Sequence, residues 1–240
     1  MIVLFTDYGL QGPYIGEVEA QLFRYAPSER VVNLMADVPR QNVQSAAYLL
    51  AALSDNFPRG TTFFCVVDPG VGSGRDKPIV IRMGEQRFVG PHNGLFDIVT
   101  RRREETVDCW EITYQPENLS NSFHGRDLYA PVCAMIANQQ PISGRRVDWA
   151  QCYNWPDDLA EVIYFDGFGN AWTGIRADTI DAETTLEIAG RQVKNADTFA
   201  NVAQGEYFWY TNSSGLLEIA VNQGSAKEVL GLEIGSRITR

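Results

Sequence analysis

Histidine is scarce in this chain: two residues in 240, alongside four cysteines. Zinc and most transition-metal centres need clustered imidazoles or thiolates, and no such spacing occurs; no EF-hand loop offers carboxylates to calcium either. No metal site and no bound cofactor are therefore expected. Cys65, Cys109, Cys133 and Cys152 are widely scattered, mostly in apolar segments, and read as buried reduced thiols rather than disulfides. Basic side chains are also the minority, 20 against 30 acidic, giving a net charge of −10. A dedicated nucleic-acid binder usually displays a basic face, so that class is disfavoured. No apolar run approaches the ~18 residues of a membrane span. The longest, Phe63-Phe64-Cys65-Val66-Val67, is strand-sized. No basic segment followed by a long apolar one opens the chain, so no signal peptide is expected and the cytoplasm is the expected compartment.

What is present is an ordinary globular composition, 45% hydrophobic and 11% aromatic. Its patterning changes along the chain. Short apolar runs at 2–5, 31–34 and 61–67 read as strands. Between them lie a helical segment at 14–25 and a second one in which Val43, Ala46, Ala47 and Leu50 recur at helical spacing. This β-α-β-α-β order predicts a doubly wound, mostly parallel sheet with helices on its faces. Further strands are expected at 79–82, 87–89 and 107–112, and a helix carrying Leu128, Val132, Met135 and Ile136 should begin near Tyr129, where Pro131 is tolerated in the first turn. Beyond Trp155-Pro156-Asp157-Asp158 the helical period disappears. Short strands at 162–165, 171–175, 185–188, 207–211 and 216–220 alternate with Gly- and Asn-containing turns, which predicts an all-β barrel or sandwich. The expectation is an α/β domain over 1–153 and a C-terminal β-barrel domain over 160–240.

Four places break this grammar with clustered Gly, Asp, Asn and Ser. Thr6-Asp7-Tyr8-Gly9 follows the first strand, where ligands of open parallel sheets sit. Asp7 suits a diol such as a ribose, or simply an Asx-turn or helix cap. Asp68-Pro69-Gly70-Val71-Gly72-Ser73-Gly74-Arg75 follows the third strand; it is neither a P-loop nor a dinucleotide fingerprint. Asp68 and Arg75 are expected to pair across this loop, as catalytic groups or as a structural ion pair. Ser122-Phe123-His124-Gly125-Arg126-Asp127 offers an imidazole in a polar loop, suited to proton transfer near neutral pH. Arg126 and Asp127 read as fixing the helix start, and His92 as part of a tight turn. The last cluster pairs Asp166-Gly167-Phe168-Gly169-Asn170 with Asn212-Ser213-Ser214-Gly215. There Asp166 suits an ammonium group, Asn170 an adenine-like edge and Ser213 a carboxylate, although each is also an ordinary turn former. No G-x-S-x-G elbow is present, which disfavours a Ser-His-Asp hydrolase.

In order, Thr-Asp-Tyr-Gly, Asp-Pro-Gly-Val-Gly-x-x-Arg, Gly-Pro-x-Asn-Gly, Phe-His-Gly-Arg-Asp, Asp-x-Phe-Gly-Asn and Asn-Ser-x-Gly-x-Leu-Glu-Ile-Ala span nearly the whole chain. Together they resemble the S-adenosylmethionine hydrolase family, the S-adenosylmethionine hydroxide adenosyltransferases, relatives of fluorinase and chlorinase. The resemblance implies an N-terminal α/β domain, a C-terminal β-barrel and a homotrimer with sites between subunits. It implies water attack at C5′ of S-adenosylmethionine, in one or other sulfonium epimer, releasing adenosine and L-methionine. By the same resemblance Asp68, Arg75 and His124 form the water-activating group, with Arg75 holding Asp68. Asp7 takes the ribose hydroxyls, Asn170 the adenine, Asp166 the methionine ammonium and Ser213 its carboxylate, with Glu218 and the Val221 backbone near the nucleoside. Phe168, Trp209 and Tyr210 are candidates either to stack on adenine or to fill the barrel core.

Some positions depart from relatives. Gly12 stands where some carry an aspartate, His92 where an asparagine is common, and Gln41 where halogenases have an aromatic. Halogenases also carry a tyrosine in place of Asp68 and a halide-engaging serine in place of Gly125. The last two differences favour water over a halide-dependent transfer, and retention of Asp68, Arg75 and His124 argues against a non-catalytic nucleoside-binding protein.

Overall fold

The computed structural model describes residues 1–239. They form two compact units that divide between Asn154 and Trp155. In the first, β1 (Ile2–Thr6), α1 (Tyr14–Tyr25), β2 (Val31–Met35), α2 (Val43–Ser54) and β3 (Thr62–Val66) follow the predicted alternation. β2 pairs parallel to one side of β1 and β3 pairs parallel to the other. The two crossovers therefore step in opposite directions, and right-handed connections then place α1 and α2 on opposite faces of the sheet. The reversal makes the β1/β3 boundary a topological switch point.

β4 (Pro78–Met83) and β5 (Gln86–Pro91) are joined across Gly84-Glu85, a connection short enough only for an antiparallel hairpin. β5 extends the parallel set beside β3, while β4, β6 (Val107–Ile112) and β7 (Gly144–Val147) continue the sheet in antiparallel steps. The order is β2-β1-β3-β5-β4-β6-β7. β6 keeps the direction of β1, and β4 and β7 oppose it. Strand alternation sorts the core. Ile2, Leu4, Phe64 and Val66 pack with Val18 and Leu22 of α1 and with Val132, Cys133 and Ile136 of α4 (Ala130–Ala137). Phe63, of opposite parity, stacks on Phe88 with ring centroids 4.7 Å apart.

α3 (Asp97–Arg102) escapes sequence reading because six residues cannot establish a helical period. Its first residue does structural work. The Asp97 carboxylate is fully buried and accepts the backbone N–H of Cys152 at 3.0 Å and of Tyr153 at 2.7 Å, pinning the end of this unit.

The second unit contains β8 (Leu159–Phe165), β9 (Ala171–Arg176), β10 (Leu186–Ile188), β11 (Arg191–Val193), β12 (Tyr207–Thr211), β13 (Leu216–Val221), a short α5 (Ala226–Val229) and β14 (Ile238–Thr239). The expected closed barrel is not what forms. The strands make two antiparallel sheets, β12-β13-β9-β8 and β11-β10-β14. Single bridges, Asn195 to Trp209 and Glu161 to Arg237, touch across the two seams, and no ladder closes either one among the described residues. The outer strands of the smaller sheet are short, three residues in β11 and two in β14, and each has its ladder only with β10 between them. Val162, Ala171, Leu186, Val193, Trp209 and Ile219 fill the apolar interior.

Asp97→Ala removes the carboxylate that accepts the Cys152 and Tyr153 backbone N–H groups. It is expected to cost about 2–3 kcal/mol in denaturant unfolding, with Asp97→Asn losing less because an amide oxygen still accepts.

Candidate active site

The carboxyl ends of β1 and β3 lie side by side, with Thr6 paired to Val66. Asp7 and Asp68 are the first carboxylates past those ends. Asp7 Oδ2 accepts the Gln41 backbone N–H at 2.9 Å. Asp68 Oδ1 accepts the Gly70 N–H at 2.9 Å. Burial raises both carboxyl groups above their usual range, and these hydrogen bonds oppose it only in part. Between them stands Tyr8, whose phenol is pushed far up by burial and then by the charges of Asp7, Tyr129 and Asp68. Its ring meets Phe64 and Phe123 edge-on.

The glycine-rich loop places its charges differently from the sequence expectation. Arg75 does not hold Asp68. Its Nε and Nη2 donate to Asp76 Oδ1 and Oδ2 at 3.3 and 3.2 Å. Asp76 follows Arg75 directly, and Asp68 Oδ1 already engages Gly70, so the nearer carboxylate takes the guanidinium. The loop is tied by Ser73, whose Oγ donates to Gly70 O at 2.6 Å and accepts Arg75 N–H at 3.2 Å. Asp68 feels Arg75 and His124 as nearby positive charge that draws its pKa down, and Asp76 as negative charge that raises it.

His124 precedes a wide helical turn, Gly125–Tyr129, in which the Ala130 N–H reaches back to Gly125 O before α4 begins. Such turns recur at functional sites. Arg126 and Asp127 behave as read from sequence: Arg126 pairs with Asp127 at 2.6 Å and with Glu17 of α1 at 2.6 Å, and Asp127 accepts Ser120 N–H at 2.9 Å. Asp68, Asp76, His124 and Tyr129 line one cavity of about 470 Å³. His92 lies elsewhere, its Nε2 donating to Ala150 O at 2.8 Å while the ring packs on Trp149. Gly125 admits no side chain as the site stands, because a Cβ there would lie 2.0 Å from Tyr8 Oη and 3.3 Å from Phe123 Cε2.

The second unit gathers its own set. Asp166 lies in the β8–β9 connection and accepts the backbone N–H of Phe168 and Asn170, each at 2.9 Å, and the Asn170 side-chain amide at 3.0 Å. Glu218 on β13 is 2% exposed and accepts Tyr210 O–H at 2.6 Å; burial raises its carboxyl group. Val221 ends β13 and is buried, whereas Ser213 is exposed in the β12–β13 turn beside Asn212, whose side chain caps Ser214 and Leu216. The three aromatics separate: Trp209 is core, with Nε1 donating to Thr184 O at 3.0 Å, while Phe168 is 82% exposed at the hairpin tip.

Sequence reasoning missed Asp76 and Tyr8 as site residues. Asp76 carried a signal, an Arg-Asp dipeptide closing a glycine-rich loop, but Tyr8 carried none beyond adjacency to Asp7. Among the described residues, no group of three or more His, Cys, Asp or Glu side chains is arranged to hold a metal ion.

This geometry accompanies full-length similarity to known proteins. The family model "SAM hydroxide adenosyltransferase N-terminal domain" matches residues 2–145, and "SAM hydroxide adenosyltransferase C-terminal domain" matches residues 160–239. A curated relative from Thermus thermophilus, named (R)-S-adenosyl-L-methionine hydrolase, is 35% identical, covering 98% of this chain and 96% of its own. A fluorinase from Actinopolyspora mzabensis is more distant at 23% identity over 100% of this chain and 97% of its own. The crystal structure of an uncharacterised conserved protein from Thermotoga maritima superposes with a TM-score of 0.89 at 32% identity, covering 99% of this chain and 98% of that one. With both halves matched by its domain models, this chain belongs to the SAM hydroxide adenosyltransferase family.

Proposed function

We propose that this protein hydrolyses S-adenosylmethionine, in its R sulfonium form, to adenosine and L-methionine by in-line attack of water at C5′. The observation that carries the reading is the meeting of Asp7 and Asp68 at adjacent strand ends, with His124 on the wall of the cavity that Asp68 lines. The name of the Thermus relative supports the reaction and the epimer.

In the proposed step a water oxygen bonds to C5′ as the C5′–S bond breaks. The electron pair goes to sulfur, giving a neutral thioether, and the water proton passes to the Asp68–His124 pair. A sulfonium is already a good leaving group, so no acid at sulfur, metal or cofactor is assigned. Positioning the water and accepting its proton is what remains for the protein. Burial suits Asp68 to this task, because a carboxyl group raised above its usual range is a stronger base. Arg75 supplies positive charge beside the developing hydroxide. Asp7 binds the ribose hydroxyls, and Asp166, Asn170, Ser213, Glu218 and the Val221 backbone bind the methionine and nucleoside parts. Phe168 is the aromatic best exposed to stack on adenine.

We further propose domains over 1–153 and 160–240 and a homotrimer with sites shared between subunits. The resemblance to the family supports both assignments. Four unpaired thiols support a reducing, cytoplasmic compartment, and no described helix is long and apolar enough to cross a membrane.

Incubation with each sulfonium epimer in oxygen-18 water should yield labelled adenosine plus methionine from the R epimer. Unlabelled adenosine would rule out attack of water at C5′. Asp68→Asn and His124→Ala should each lower kcat by ~10²-fold or more with little change in adenosine affinity measured by calorimetry. Asp7→Ala should instead weaken that affinity by roughly 10- to 100-fold, the loss of a charged hydrogen bond. Turnover close to wild type in both Asp68→Asn and His124→Ala would remove the assigned water-activating pair.

A halide-using reaction is disfavoured by the contact of Tyr8 with Gly125. Gly125→Ser should lose about 1–3 kcal/mol through overpacking, read as a lowered Tm, and should form no 5′-halo product in added chloride. A stable variant that makes the chloro-nucleoside would reverse this.

A further inference from the structure

Asp76 is a second acid in the cavity of Asp68, and the hydrolysis reading leaves it without a role. Three charged atoms crowd the Gly70 Cα: the position of a Cβ on Gly70 lies 2.8 Å from Asp76 Oδ2, 3.1 Å from Arg75 Nη2 and 3.4 Å from Asp68 Oδ1. Two carboxylates thus contend for one guanidinium, and Asp76 holds it through both Nε and Nη2. The Asp76 side chain is 13% exposed and the Arg75 side chain 68%. The acid is therefore the fixed member and the arginine the movable one.

We propose that Asp76 is a positioning residue that keeps Arg75 off Asp68, so that the Asp68 carboxylate faces the attacking water unpaired. A guanidinium bound directly to Asp68 would occupy its lone pairs and weaken it as a base. Held by Asp76, the same arginine still contributes positive charge nearby while Asp68 keeps one backbone donor, Gly70 N–H. The other groups around Asp68 are His124 and Tyr129 from the wide turn, Tyr8 from beyond β1, and Lys77 on the cavity wall, which sits 3.9 Å from Glu111. Arg75 is the cation with a short path to Asp68, since both lie against Gly70. The inference rests on Asp68 acting as the base of the proposed hydrolysis.

Asp76→Ala frees Arg75 to pair with Asp68. The acidic limb of kcat/KM for the R epimer should move to lower pH, and the plateau kcat should fall by about tenfold, with KM little changed. Asp76→Glu should restore both. In Arg75→Gln/Asp76→Ala no guanidinium is left to move, and the shift of the limb should largely disappear. A limb and plateau unchanged in Asp76→Ala, or a limb that shifts equally in the single and double variants, would overturn the proposal. The Asp68 carboxyl titration, followed by carbon-13 NMR in wild type and the same variants, reads the effect without turnover. A downward shift in Asp76→Ala that the double variant abolishes supports the arginine transfer even if hydrolysis itself fails. No shift there overturns it independently of the reaction.

Discussion

The parallel pairing of β1 with β3 is the constraint on which the rest depends. It is in register over five consecutive pairs, from Ile2 with Thr62 to Thr6 with Val66. Each strand is fully buried, so a slip by one residue would turn Phe63 and Phe64, or Leu4 and Phe5, into the wrong layer. Hydrophobic packing on two faces thereby fixes where both strands end. The loops leaving those ends need polar residues, and they bring Asp7 and Asp68 together without any direct bond between them. The acids are neighbours because the apolar residues behind them leave no other register.

Burial then sets the chemistry. Asp7, Asp68 and Glu218 all have carboxyl groups raised first of all by loss of water. Each is a site where the fold tolerates a poorly solvated charge. A sulfonium cation or a row of ribose hydroxyls would supply the stabilisation that water no longer gives, so ligand binding and full ionisation of these acids favour each other. The acidic balance of the chain, −10 overall, is thus expressed locally as partly desolvated carboxylates rather than as a solvated surface alone.

Much of this was legible in advance. α1 fell on its predicted bounds, Tyr14–Tyr25, because apolar residues at helical spacing leave little choice there. β1, β2 and β3 were readable as short apolar runs between turns. What escaped had physical reasons. α3 and β7 are too short to show a period, and β7 lies at the polar sheet edge. β4 and β6 were expected as strands, but their antiparallel pairing was not legible, because alternation does not report strand direction. The barrel failed to close at the short outer strands β11 and β14, which form ladders only with β10. At the site, residue types and loop positions were legible, but partner choice was not. Arg75 had two acids within reach, and only the loop conformation, fixed by Ser73 and its contacts with Gly70, decides for Asp76.

The wide turn at Gly125–Tyr129 carries one more consequence. An α-helix advances about 100° per residue, and closing a loop of five residues instead of four absorbs one extra residue without interrupting α4. Deleting a single residue within this turn would let the helix wind regularly back to its start. Everything upstream would then be rotated by roughly a quarter turn about the axis, carrying His124 off the cavity wall. The chain length of this segment, independent of which side chains it bears, is itself part of how the imidazole is aimed.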